Sequence, residues 1–250
     1  MRSKRIVVLT AAALLVLSAA ALPALAADTV TINEPEITFE DGDPTVSITK
    51  RDGVGALFVS TPEVADQVDV RVLENTDLLD LDAEIDLEET TTLGDLESLS
   101  YRALRDAGAD PQIASINITT LPWTGTYVYE PVYDTSGNPV TGEWETWDAF
   151  SDTARWWNTG DRDTFLTWED IIEGNEDAPV WRMVVSQGSN NPGLESYVDF
   201  VEVDGVTYDF APADDDPEDK DMSKNDGWQD FDFRNQGQCI RFVNTGKGSP

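Results

Sequence analysis

Residues 126–157 read T-Y-V-Y-E-P-V-Y, D-T-S-G-N-P, V-T-G-E-W-E-T-W-D-A-F and S-D-T-A-R-W-W. Two runs rich in aromatic and β-branched residues flank a turn signal, which is the pattern of a β-hairpin. Four of the eight tryptophans, Trp144, Trp147, Trp156 and Trp157, fall in its second half. Such a cluster is either the heart of a core or the floor of a binding groove, and the sequence leaves both readings open. Within W-E-T-W, Trp144 and Trp147 are three residues apart, so on a strand they face opposite sides and only one of them lines any one groove.

Outward from this stretch the chain is a succession of short strand signals. Residues 30–59 hold V-T-I-N, E-I-T-F-E, T-V-S-I-T and A-L-F-V-S, broken by Asp41-Gly42-Asp43-Pro44 and Asp52-Gly53. Val68, Val70 and Val72 share one face of a further strand, as do Ala114, Ile116 and Ile118. Residues 79–88 alternate strictly, with Leu79, Leu81, Ala83, Ile85 and Leu87 on one side and five acids on the other. Residues 92–106 fit a helical spacing or an alternating strand equally. Thr167, with Asp170 three positions on and Gly174 beyond, opens and closes the single good helix candidate. Residues 180–186 read as a buried strand, and 197–210 as a hairpin turning at Asp204-Gly205.

Many short strands, frequent turns and one short helix predict an all-β antiparallel sandwich of the jelly-roll type. The expected organisation is a signal peptide at 1–26, a β-sandwich domain at 27–211, an acidic linker at 212–222 and a small C-terminal β module at 223–250. The signal reads from Arg2, Lys4 and Arg5, an apolar run over 6–22, and the small-x-small site Ala24-Leu25-Ala26. It predicts an extracellular, secreted protein.

The chain carries a formal net charge of −33, and loss of the three basic residues at its start leaves −36. Such a surface repels phosphate, which excludes nucleic acid and anionic membrane as partners. The acids suit a solvated surface, and divalent-cation binding is the other reading. Calcium is the cofactor they would take, at turns bearing Asp41 and Asp43 or Asp161 and Asp163, though neither pair has the spacing of a dedicated loop. There is no histidine, so Ser-His-Asp and Cys-His catalysis and histidine-ligated metals are excluded. The one cysteine, Cys239, has no internal disulfide partner.

The segment T-L-G-D-L-E-S-L-S-Y-R-A-L-R-D at 92–106, together with Y-V-Y-E-P-V-Y, W-E-T-W-D-A-F, W-W and V-D-G-V-T-Y-D-F, resembles a domain of many uncharacterised secreted bacterial proteins. These are concanavalin A-like jelly rolls in which the L-S-Y-R run is a strand. The resemblance therefore implies a short turn at 93–97 followed by a strand. The closing S-K-N-D-G-W-Q-D-F-D-F-R-N-Q-G-Q-C-I-R-F resembles a C-terminal module of secreted actinobacterial-type proteins that begins C-K-x-G-G-W and has a second cysteine in N-Q-G-x-C. Ser223 stands where the first of those cysteines would be, so the module's disulfide is missing its partner for Cys239. Cys239, with Ile240 and Phe242 alternating after it, belongs to or borders a strand, and the chain is a monomer or a Cys239-linked dimer. Neither group supplies an activity.

Glu84-Ile85-Asp86-Leu87-Glu88 matches the E-I-D-x-E signature of laminarinase- and lichenase-type glucanases, which are also jelly rolls. That resemblance implies Glu84 as nucleophile, Glu88 as acid/base and Asp86 tuning them. Retaining hydrolysis needs the two carboxyls about 5–5.5 Å apart, whereas residues four apart on a strand have Cα atoms about 13 Å apart. The acid ladder starts earlier, at Asp80, so composition alone is enough to produce such a match. The preferred reading is non-catalytic binding of a polysaccharide or cell-surface glycan by Trp147, Asp148, Trp156 and Trp157, because indole faces stack on sugar rings while carboxylates bond their hydroxyls. A glucan hydrolase using Glu84 and Glu88 and a purely structural surface protein are the competing readings.

Overall fold

The computed structural model describes residues 28–75, 78, 90–108, 111–123, 125–188, 190–212, 224 and 234–245. The signal sequence at 1–26, the acid ladder with Glu84, Asp86 and Glu88, nearly all of the linker at 212–222, and Ser223 lie outside the described residues.

Two seven-stranded sheets pack face to face. The first is centred on β13 (Leu194–Val203). Along one side of it runs β6 (Leu99–Ala107), with β9 (Trp144–Asp148) beyond at the sheet edge. Its other side forks: residues 194–198 pair with β4 (Val54–Thr61), and residues 200–203 pair with β14 (Val206–Phe210). The two prongs continue into β3 (Thr45–Arg51) and β1 (Asp28–Ile32), the latter parallel to β14. The second sheet is antiparallel throughout. Its order is β11 (Asp161–Leu166), β10 (Trp156–Asn158), β8 (Thr126–Tyr129), β7 (Ser115–Thr120), β12 (Val180–Gln187), β5 (Gln67–Glu74) and β2 (Ile37–Asp41). This is the all-β antiparallel sandwich that the strand signals predict.

Period-two alternation builds the core. Val68, Val70 and Val72 of β5, Ile116 and Ile118 of β7, and Met183 and Val185 of β12 point inward from the second sheet. Leu57 and Val59 of β4, with Leu99, Tyr101 and Ala103 of β6, meet them from the first. The same inward set decides the ambiguity at 92–106: a 3₁₀ turn at Leu93–Asp95 precedes the strand β6, so alternation prevails over the helical spacing. Asp204 and Gly205 both have positive φ (50° and 78°), which a two-residue hairpin turn with matching twist requires. Helix α1 (Trp168–Ile172) starts where the sequence places it, because Thr167 and Asp170 cap each other reciprocally.

Two expectations change. Residues 126–157 do not form a hairpin: β8 pairs with β7 and β10 in the second sheet, and β9 pairs with β6 in the first. The intervening residues, 130–143, carry the chain from one sheet to the other. Tyr127 and Tyr129 can then enter the core from one side while Trp147 enters from the opposite side. The second change is at the C-terminus, where Gln236–Thr245 is a helix (α2), so Cys239 lies on a helix and not on a strand of a β module. Its N–H bonds the carbonyl of Asn235, the four-residue repeat of helical backbone, and its side chain is fully buried. No helix among the described residues is long and apolar enough to cross a membrane.

Candidate functional site

The crossing segment places functional side chains at the edge of the sandwich where β9 ends the first sheet and β11 ends the second. Pro131 has a fixed φ and starts the 3₁₀ turn Pro131–Tyr133, which pushes Tyr133 outward. On the next strand, alternation sends Trp156 inward and Trp157 outward, with Trp157 opposite Val128. The β10–β11 hairpin then returns Arg162 and Phe165 beside Trp157.

Glu130, Tyr133, Trp157, Arg162 and Phe165 line one groove of about 160 Å³. The rings of Tyr133 and Phe165 lie 4.7 Å apart between centroids, and the two residues are 40% and 45% exposed, so this aromatic pair stands at the surface. Trp157 is half-buried; its indole N–H donates to Glu130 Oε2 at 2.8 Å, and the Arg162 guanidinium sits 5.4 Å above its ring. Burial pushes the Glu130 carboxyl up from its ordinary value of 4.5, against the opposing pull of the Trp157 N–H and of Arg162. Burial and the nearby Glu130 also raise the Tyr133 phenol. The groove thus offers three aromatic rings with one acceptor and one cationic donor at their rim.

On the other flank of the same segment lies a second depression, of about 380 Å³, whose lining includes Asp134, Glu145, Trp147, Asp148, Ser151 and Thr153. Asp134 accepts from the Tyr129 hydroxyl and the Ser136 N–H, both at 2.8 Å. Burial raises its carboxyl, but the bonds from Ser136, Tyr129 and Thr153 outweigh that and leave it below the usual value. Burial and Asp134 together raise the Tyr129 phenol far above its ordinary value.

The four residues singled out by sequence therefore part company. Trp157 lines the aromatic groove; Trp147 and Asp148 line the acidic cleft. Trp156 is fully buried, stacked among Tyr129, Phe150 and Trp168, with its N–H on the carbonyl of Ala149 at 2.8 Å. It has no surface to show a ligand and belongs to the core. Trp147 is only 7% exposed and packs in the core, so it has no stacking face to offer. Trp144 points to the outer face of the first sheet, in register with Leu104, Tyr197 and Phe58, where Arg102 lies over its ring at 5.1 Å. Arg51 lies over Tyr197 at 5.4 Å, so two arginines cover that row.

The turn acids act locally. Asp41 Oδ1 accepts from the N–H of Gly42, the Asp43 N–H donates to Asp66, and Asp161 accepts from the Asp163 N–H and the Thr164 hydroxyl. Among the described residues no three His, Cys, Asp or Glu side chains are grouped to hold a metal ion.

Sequence reasoning missed Glu130, Tyr133, Arg162 and Phe165. Tyr133 lay in the quoted aromatic run, but the break at Glu130-Pro131 hid its outward turn. Residues 161–166 alternate too weakly to read as a strand, D-R-D-T-F-L, so Arg162 and Phe165 carried no signal.

No family of known proteins matches the sequence, and no curated relative does. Solved structures with a weak likeness to it include the following two. SGBP-B from a complex xyloglucan utilization locus in Bacteroides uniformis is 16% identical, with a TM-score of 0.33 over 68% of this chain and 46% of that one. The chain thus spans less than half the length of that protein. The L4b domain of human laminin alpha-2 is 14% identical, with a TM-score of 0.29 over 62% of this chain and 93% of that domain.

Proposed function

We propose that this protein is a secreted carbohydrate-binding protein that holds a sugar in the groove formed by Glu130, Tyr133, Trp157, Arg162 and Phe165. The observation that carries this reading is the convergence of three rings, two of them on exposed residues, on one small depression rimmed by a carboxylate and a guanidinium. A pyranose presents an apolar C–H face to a π surface and a ring of hydroxyls at its edge. Tyr133 and Phe165 receive the face, Glu130 accepts from hydroxyls, and Arg162 donates to them. Trp157 is locked by its bond to Glu130, so its orientation costs no ordering at binding.

Retention of the full chain on a panel of insoluble polysaccharides, followed by calorimetry with soluble fragments of whichever retains it, tests the assignment. Trp157→Ala and Phe165→Ala should each weaken binding by about 2 kcal/mol, or about 30-fold, as loss of a central aromatic anchor does. Retention by none of the panel, or full affinity in both variants, would refute it. Release of reducing sugar that Glu84→Gln abolishes would replace it with the hydrolase reading.

A further inference from the structure

Seven arginines lie between residues 28 and 212, and six of them have a partner within the protein. Arg51, Arg71 and Arg102 pair with the carboxylates of Asp106, Glu74 and Asp199, and Arg182 lies 4.0 Å from Asp69. Arg105 and Arg155 donate to backbone carbonyls. Arg162 is the exception: its guanidinium makes no hydrogen bond and no ion pair among the described residues. It stays unpaired in a chain with 49 acids, and with Asp161 and Asp163 on either side of it. Asp161 accepts instead from the Asp163 N–H and the Thr164 hydroxyl. Glu130, the one carboxylate in the lining of the groove, is half-buried and has Oε2 on the Trp157 N–H; it attracts Arg162 without forming an ion pair. Arg162 is exposed and lies over the Trp157 ring, so its N–H fork stands unused at the rim of the groove. Two other depressions of the sandwich carry the opposite charge. One is lined by Asp134, Glu145 and Asp148, the other by Glu97, Asp152 and Glu169, and neither has a lysine or arginine.

We propose that Arg162 determines the specificity of the groove and selects a uronic acid unit. The inference rests on the carbohydrate reading of the groove. The sugar ring lies on Tyr133 and Phe165, and its carboxylate accepts two parallel N–H bonds from Arg162, the pairing that a planar guanidinium suits best. At about 160 Å³ the groove has room for one such unit, since pockets for drug-sized ligands begin at about 300 Å³. The net charge of −33 repels polyanions at long range, but screening limits that repulsion to about 8 Å at physiological ionic strength. A single ligand carboxylate at the rim therefore meets chiefly the charges of the lining, Arg162 and the half-buried Glu130. An amino sugar would bring a like charge to Arg162.

Calorimetric titration of the full chain with the disaccharide of glucuronate 1,4-linked to glucose, and with cellobiose, tests the assignment. The two ligands differ only by a carboxylate in place of a CH2OH group. The uronate should bind at least about 10-fold more tightly at physiological salt. Arg162→Gln keeps a donor, removes the charge and moves the net charge only from −33 to −34; the preference should fall to within about 2-fold. Arg162→Lys keeps the charge without the fork and should retain part of the preference. Failure of the uronate to bind, equal affinity for the two ligands, or a preference that survives Arg162→Gln overturns the inference. The groove itself can fail separately. A uronate preference that needs Arg162 but is indifferent to Trp157→Ala and Phe165→Ala would uphold Arg162 and refute the stacking groove. Cellobiose bound as tightly as the uronate, with loss of both in Phe165→Ala, would uphold the groove and overturn the acidic unit.

Discussion

Trp156 and Trp157 are adjacent in sequence and opposite in role, so substituting each with alanine separates stability from binding. Trp156 is fully buried, with Tyr129, Trp168 and Phe150 at centroid distances of 5.5, 5.4 and 6.3 Å, and its N–H on Ala149. Removing it opens a cavity among rings that cannot collapse and orphans a buried carbonyl; large-to-small aromatic changes of this kind cost about 3–5 kcal/mol. In a chain of this size each kcal/mol moves the melting temperature by about 2–4 °C, so Trp156→Ala should melt about 6–20 °C lower. Trp157 is half-exposed and makes one hydrogen bond, to Glu130, so Trp157→Ala should cost about 1–2 kcal/mol and at most about 8 °C. Thermal melts followed by near-ultraviolet circular dichroism give both values, and glycan titration at a temperature where both variants are folded gives the other half. Trp157→Ala should lose affinity while Trp156→Ala keeps it. Equal destabilisation by the two substitutions, or loss of affinity through Trp156 alone in a folded variant, would refute the division between core and groove.

Other outcomes follow from the charges. Burial raises the folded-state carboxyl of Glu130 above 4.5, so its ionisation opposes folding: its contribution should worsen as pH rises from 4.5 through the raised value. Glu130→Gln keeps an acceptor for Trp157 and should be more stable than the native chain at neutral pH, with the gap closing as pH falls below 4.5; melts of both proteins across pH 4–7 check the sign. A net charge of −33 repels itself over distances that salt shortens to about 8 Å at physiological ionic strength, so the melting temperature should rise from low to molar sodium chloride. A flat or falling curve would mean that bound cations already neutralise the acids. On the outer face of the first sheet, Arg102→Ala removes the cover of Trp144 and leaves the buried Asp199, which Arg102 contacts at 2.8 Å, without that partner. It should cost about 1–3 kcal/mol by urea denaturation while leaving glycan affinity unchanged.

Most of the sandwich was legible because its strands alternate and its turns are written in Asp-Gly pairs. Val68, Val70 and Val72 could face one way only, and Asp204-Gly205 supplies the positive φ that a tight hairpin needs. Thr167 and Asp170 announced their helix by chemistry that acts within four residues. What was not legible depended on partners far away in sequence. Nothing local to Trp156 and Trp157 says which is inward; the choice is fixed by pairing of Trp156 with Tyr129 and Leu166. The alternation after Cys239 spans too few residues to distinguish a strand from the helix Gln236–Thr245. The same limit hid Arg162 and Phe165, which become a site only when β11 pairs beside β10.

The crossing at 130–143 is the step from fold to function. Hairpin loops are commonly two to five residues long, and the fourteen residues between Tyr129 and Trp144 exceed that, so the stretch had room to change sheets. Had β8 and β9 paired as a hairpin, Trp147 would sit beside Tyr127 or Tyr129 in one sheet, and the edge of the sandwich would be closed by a tight turn. Because the chain crosses instead, Trp147 enters the core from the first sheet and Tyr129 from the second. The loop between them must satisfy its own backbone at the surface. It does so with carboxylates: Asp134 takes the Ser136 N–H and Glu145 the Val140 N–H. Asp134 is buried with both oxygens in such bonds, to Tyr129 and Ser136, so it braces the crossing from within. The acids that line the cleft are thus fixed by the need to brace the crossing, and the groove beside it exists because Pro131 turns Tyr133 out at the start of the same segment.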